Sequence, residues 1–122
     1  MSHCREQRIG ATCAIVGSIF LVLGTFFHPM EADPHDSVVA FIEYATAELW
    51  VASHLTQLAG VTLMVMALLI LAKQLEAEGS GPWPRLGSGV AIASLAIAAA
   101  LQAVDGVALK VMVNAWADAS VA

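Results

Sequence analysis

Three long stretches of this chain carry no formal charge: residues 9–27, 49–72 and 86–104, of 19, 24 and 19 residues. As helices rising 1.5 Å per residue they reach about 28, 36 and 28 Å, against a hydrocarbon core of about 30 Å. In lipid a backbone must satisfy its own hydrogen bonds, which leaves helices or closed barrels. None of the stretches shows the two-residue alternation of a barrel strand. The composition agrees, with 59% apolar and 12% charged residues, where soluble domains carry about 45–50% and about 25%. A water-soluble globular monomer, a disordered tail and a nucleic-acid module are excluded. The expected fold is all-α: a polytopic membrane protein with three transmembrane helices, over about 9–28, 49–73 and 86–105, plus one or two interfacial amphipathic helices.

Basic residues orient the spans. Arg5 and Arg8 precede the first, and Lys73 and Arg85 bracket the linker between the second and third. The segment 28–48 has no Lys or Arg but carries Glu31, Asp33, Asp36, Glu43 and Glu48. Basic loops stay cytoplasmic. The expectation is a membrane protein with its N-terminus inside, the acidic loop outside and its C-terminus outside. A cleaved signal peptide is disfavoured, because the first apolar core is too long and Phe26-Phe27-His28-Pro29 offers no small-residue cleavage site.

The connections have their own signals. Asp33-Pro34 reads as an N-cap followed by a first-turn proline, with Asp36 as the capping-box acid. Val38, Phe41, Ile42, Ala45 and Leu49 then recur at helical spacing, which predicts an amphipathic helix over about 34–47 on the outer surface. The run Gly79-Ser80-Gly81-Pro82-Trp83-Pro84 reads as a turn. Residues 107–120 form either a second interfacial helix or an extension of the third span, with Lys110, Asn114 and Asp118 as a polar stripe opposite Val111, Met112 and Trp116.

Lipid tails are as apolar as leucine, so close packing through small residues must hold the helices together. Gly10, Gly17 and Gly24 fall at strict seven-residue spacing and form the expected packing line of the first span. The third span is dominated by Gly, Ala and Ser. So much small surface predicts contacts beyond its two neighbours, in a homo-oligomer or with other membrane subunits. Cys4 and Cys13 stand about 13 Å apart on a helix and cannot bridge each other.

The polar residues of the spans are the functional candidates. His28 ends the first span, His54 lies about one and a half turns into the second, and Asp105 ends the third. With the orientation above, all three fall in the outer half of the membrane on different helices. Gln57 shares a face with His54, and Gln102 with Asp105. Two imidazoles can ligate a b-type haem, and two imidazoles with a carboxylate can hold a transition metal, with Asp33 and His35 nearby on the loop. A His–Asp pair can also act as a pH-sensitive latch or as interhelical glue. No phosphate loop, HExxH, GxSxG or Ser/His/Asp arrangement is present, so nothing supports a hydrolase, and an enzyme is the less expected class. The leading expectation is a structural or accessory membrane subunit, and the alternative is a haem or metal protein using His28 and His54, with Asp105.

Gly24-Thr25-Phe26-Phe27-His28-Pro29, then Trp50-x3-His54, then Asp105-Gly106-Val107-Ala108-Leu109-Lys110, resembles a broad group of uncharacterised bacterial multi-pass inner-membrane proteins. The resemblance extends over nearly the whole chain. It implies no catalytic residues, but it implies that His28, His54 and Asp105 belong to one recurring constellation.

Overall fold

A computed structural model of the protein describes residues 2–33 and 35–120. The chain is all-α: α1 (Ser2–Phe26), α2 (Ser37–Thr46), α3 (Trp50–Ala77), α4 (Trp83–Leu101), a π-helical segment (Gln102–Leu109) and α5 (Lys110–Ser120). Three helical stretches are long and apolar enough to cross a membrane: His3–Phe26, Trp50–Ala77 and Trp83–Ala119, of 24, 28 and 37 residues. The third settles the question of residues 107–120. They extend the third span without a break, for a continuous run of about 55 Å, against a core of about 30 Å.

Local chemistry explains the boundaries. Past Phe26 the chain turns at His28, because the ring of Pro29 disfavours a helical residue before it. α3 closes with a Schellman cap: Gly79 N–H donates to the Glu76 carbonyl and Ser80 N–H to the Leu75 carbonyl, both at 3.1 Å. Gly79 has φ +79°, the left-handed conformation this motif requires. α4 then starts with Pro84 in its first turn, where no backbone donor is needed. α2 begins at Ser37, later than the sequence suggested. Its N-cap is Asp36, whose side chain accepts from the Val38 and Val39 N–H groups. Asp33 instead accepts from the His35 N–H at 2.9 Å, and the proposed first-turn Pro34 lies outside the described residues.

α3 is the central element. α1 packs along one side of it and α4 along the other. Gly10, Gly17 and Gly24 do form the packing line of α1, and the opposing surface is α3 of the same chain. A Cβ on Gly17 would come within 2.9 Å of the Gly60 carbonyl, and one on Gly60 within 2.9 Å of the Gly17 carbonyl. Gly60 thus completes the contact from the other side, with two backbones touching. A Cβ on Gly24 would meet Gln57 Cγ at 2.6 Å and the Ser53 carbonyl at 2.8 Å. On α4, by contrast, Gly87 and Gly89 have nothing within 4 Å of their Cβ positions. That small face is open.

α2 does not stand alone. Lys110 Nζ donates to the carbonyls of Tyr44, Ala45 and Ala47 at 2.8, 2.8 and 3.0 Å, and Phe41 meets Trp116 edge-on at 5.6 Å. These contacts lay α2 antiparallel along α5, with the α2 C-terminus nearest the span. The face of α5 that packs is therefore not the one the polar stripe suggested. Val113 is fully buried, whereas Val111 and Met112 are exposed. On α2 the buried residue is Ala40, and Val38, Val39 and Ile42 remain exposed. Phe41 and Trp116 come from the apolar faces read in the sequence, but Lys110 of the polar stripe joins the contact, and Val38, Ile42, Val111 and Met112 stay exposed.

Candidate metal centre

The three polar residues singled out by sequence converge. One ligand atom each from His28, His54 and Asp105 lie within 4.8 Å of one another. The loop pair does not join them: His35 Nδ1 contacts Asp33 Oδ1 at 3.1 Å, and both side chains are largely exposed. His35 holds the Asp33 carboxyl below its ordinary range, first through its backbone N–H and then through its ring.

Each ligand is placed by its own element. His28 sits in the turn that Pro29 imposes on the end of α1, and its Nδ1 lies 2.9 Å from the Pro29 carbonyl. A carbonyl only accepts, so Nδ1 donates and Nε2 is the lone-pair nitrogen of the neutral ring. His54 faces inward from the second turn of α3 and is 2% exposed. Its Nδ1 donates to the Trp50 carbonyl one turn earlier at 2.8 Å. Its Nε2 lies 3.2 Å from Asp105 Oδ2, and the Asp105 side chain is 56% exposed.

Asp105 arrives by an unexpected route. Asp105 was expected to end the third span, yet the helix continues through Asp105-Gly106 in π-helical form. A π turn inserts one residue per turn and re-aims the side chains within it, which is why such segments recur at functional sites. Gly106 is the contact point: a Cβ there would meet His54 Cβ at 2.7 Å and Cγ at 2.9 Å. Only glycine lets the backbone of the π-helical segment approach the imidazole this closely. The sequence reading gave Gly106 no packing role, although its position beside Asp105 was the available signal.

Trp50 is the other residue whose role was not read from sequence. It is 2% exposed, and its ring centre lies 5.0 Å from that of His28, 4.8 Å from that of His54 and 4.6 Å from that of Tyr44. Its indole Nε1–H donates to the Asp105 backbone carbonyl at 3.0 Å. One turn further along the spans, Gln102 Nε2 donates to Gln57 Oε1 at 3.2 Å, pairing the two glutamines picked out by sequence. They extend the polar contact between α3 and the third span but contribute no ligand to the cluster.

The arrangement has a clear chemical requirement. With Nδ1 of His54 carrying the hydrogen, its Nε2 and an ionised Asp105 present lone pairs to each other at hydrogen-bond distance. A positive centre must lie between them, either a proton or a metal ion. A tetrahedral ion with bonds of about 2 Å spaces its donors about 3.3 Å apart, which is the separation this pair already has. The two imidazole rings stand 4.9 Å apart at 54°, compatible with adjacent ligands on one ion. Two imidazoles and a carboxylate suit zinc and its divalent neighbours. No family model, curated protein or solved structure matches the chain.

Proposed function

We propose that the chain is a bacterial inner-membrane subunit that holds a divalent transition metal at His28, His54 and Asp105. The observation that carries this reading is the 3.2 Å approach of His54 Nε2 to Asp105 Oδ2, with the tautomer set by the Trp50 carbonyl. That backbone hydrogen bond is the support that metal-binding imidazoles ordinarily have. The distribution of Arg5, Arg8, Lys73 and Arg85 supports a cytoplasmic N-terminus and puts the metal near the outer face. A b-type haem fits less well. Metal–nitrogen bonds of about 2 Å on opposite sides of an iron would hold the ring centres about 6 Å apart, with a porphyrin between them. The rings are 4.9 Å apart.

A structural role accompanies the metal. α1 and α4 share no extended contact among the described residues, so three helices form an open layer instead of a closed bundle. The uncovered Gly87–Gly89 face of α4 favours a subunit of a homo-oligomer or a larger membrane complex.

Metal analysis and calorimetry on detergent-purified, chelator-stripped protein test the site. Wild type should take up one zinc or cobalt ion per chain and melt higher with it, by about 2.7 kcal/mol at a hundredfold excess over Kd. His54→Ala and His54→Gln should both fail to bind, because an amide is a poor ligand. If wild type binds nothing and His54→Gln restores the stability lost in His54→Ala, the cluster is an interhelical hydrogen bond. A haem absorption band would replace the metal by haem.

A further inference from the structure

We propose that Trp50 is the positioning residue of this centre, and that its indole N–H tunes the metal by holding the π-helical turn that delivers Asp105. The inference rests on the metal reading above. Three contacts converge on this one side chain and its carbonyl, and together they reach all three ligands. The Trp50 carbonyl takes the Nδ1–H of His54 at 2.8 Å, which leaves Nε2 bare for the ion. The indole ring lies against both imidazoles, at 5.0 and 4.8 Å between ring centres, and limits their rotation. The indole N–H donates to the Asp105 carbonyl at 3.0 Å.

The last contact is the one that sets geometry. A π turn winds its carbonyls toward the N–H five residues on instead of four, a rare form that neighbouring contacts must favour. A hydrogen bond added to such a carbonyl counts for more in apolar surroundings. The indole satisfies the Asp105 carbonyl from another helix and so favours the π register over an α-helical one. A return to α-helical winding would rotate the Asp105 carboxylate relative to His54, and Gly106 would no longer be the residue facing the imidazole. The donor is buried, belongs to α3 and reaches the third span, so it couples the ligand of one helix to the ligand of the other. The Tyr44 ring packs against Trp50 at 4.6 Å with a 42° tilt and restrains the indole in turn.

Trp50→Phe keeps an aromatic ring against the imidazoles and the His54–carbonyl bond, and deletes the indole donor together with part of the ring volume, a loss that the metal-free melting temperature reports separately. Cobalt(II) is the probe, because its visible bands report ligand geometry. We expect the variant to bind cobalt 10- to 100-fold more weakly, the usual cost of losing an outer partner of a metal ligand, with a displaced ligand-field spectrum. A merely structural tryptophan would lower the melting temperature equally with and without cobalt and leave affinity and spectrum unchanged. That result overturns the assignment to Trp50 alone. Absence of cobalt uptake by wild type overturns the metal reading itself and this inference with it. Should Trp50→Phe not fold, wild-type protein with Trp83→Phe and Trp116→Phe retains a single indole resonance. Zinc should shift that resonance and slow its hydrogen exchange, and an indifferent signal would refute the proposal.

Discussion

His54 and Gly106 make one of the tightest contacts among the described residues. The imidazole is buried with both nitrogens engaged, and the only reason it has room is that position 106 lacks a Cβ. Gly106→Ala places a methyl 2.7 Å from His54 Cβ, an atom close to the backbone that cannot swing aside. The substitution should cost about 1–3 kcal/mol and abolish cobalt binding, as thermal melts with and without the ion would show. Gly87→Ala is the control: nothing lies within 4 Å of its Cβ, and stability should stay within about 0.5 kcal/mol of wild type. Asp33 supplies a pH prediction. Its folded pKa is lowered by His35, so the stabilisation from the Asp33–His35 contact is complete above the unfolded value of about 3.9 and fades as pH falls through the lower folded one. The Asp33 side-chain carboxyl resonance should therefore titrate below the ordinary aspartate range. Movement centred on the ordinary aspartate range would refute the perturbation.

The elements differ in how they are held. α1 and α3 meet backbone to backbone, so the glycines in that seam are not equivalent. Beside Gly17 and Gly24 stand carbonyl oxygens at 2.9 and 2.8 Å, whereas Gly10 faces the Ile70 side chain, nearest at 3.2 Å. Replacement of Gly17 or Gly24 by leucine should cost the full amount for overpacking, about 1–3 kcal/mol or more. Gly10→Ala should be absorbed by a small shift of Ile70. Equal melting of all three variants would place the α1–α3 contact elsewhere. α2 is held chiefly by one cation. Lys110 offers three N–H donors to the last carbonyls of α2, groups that a helix end leaves without partners. Lys110→Met should speed amide exchange across Ser37–Thr46 about 10- to 100-fold, on the scale of losing charge-assisted hydrogen bonds of about 1.5–3 kcal/mol. Exchange in α1 and α3 should be unaffected.

At the scale of the whole molecule the central issue is orientation. A reporter active only in the cytoplasm should be active when inserted near Gly79 and silent when fused after Ala122. The reverse pattern would move the His–His–Asp cluster to the cytoplasmic side. The long third stretch is about 55 Å of helix against a core of about 30 Å, and α2 lies along its last part, α5, where Lys110 holds it.

Much of this was legible in the chain as written. Absence of charge over 19 to 24 residues is enough to specify membrane-spanning helices, because the cost of a charge in lipid is a property of single residues. Seven-residue glycine spacing named the packing face of α1 for a similar reason, since helical periodicity is local. The convergence of His28, His54 and Asp105 followed from antiparallel connections and similar depth. What the sequence could not express was relative rotation. Which face of α5 meets α2 depends on Lys110 finding three carbonyls 63 to 66 residues earlier, a pairing no local pattern encodes. The π turn at Asp105 is likewise a tertiary choice. Its backbone is favourable only because the Trp50 indole and the absent side chain of Gly106 meet it from the neighbouring helix. Sequence determined the solvent, the helices and the candidate ligands, whose natures are local; tertiary structure decided how the helices turn toward one another, because that depends on contacts between distant parts of the chain.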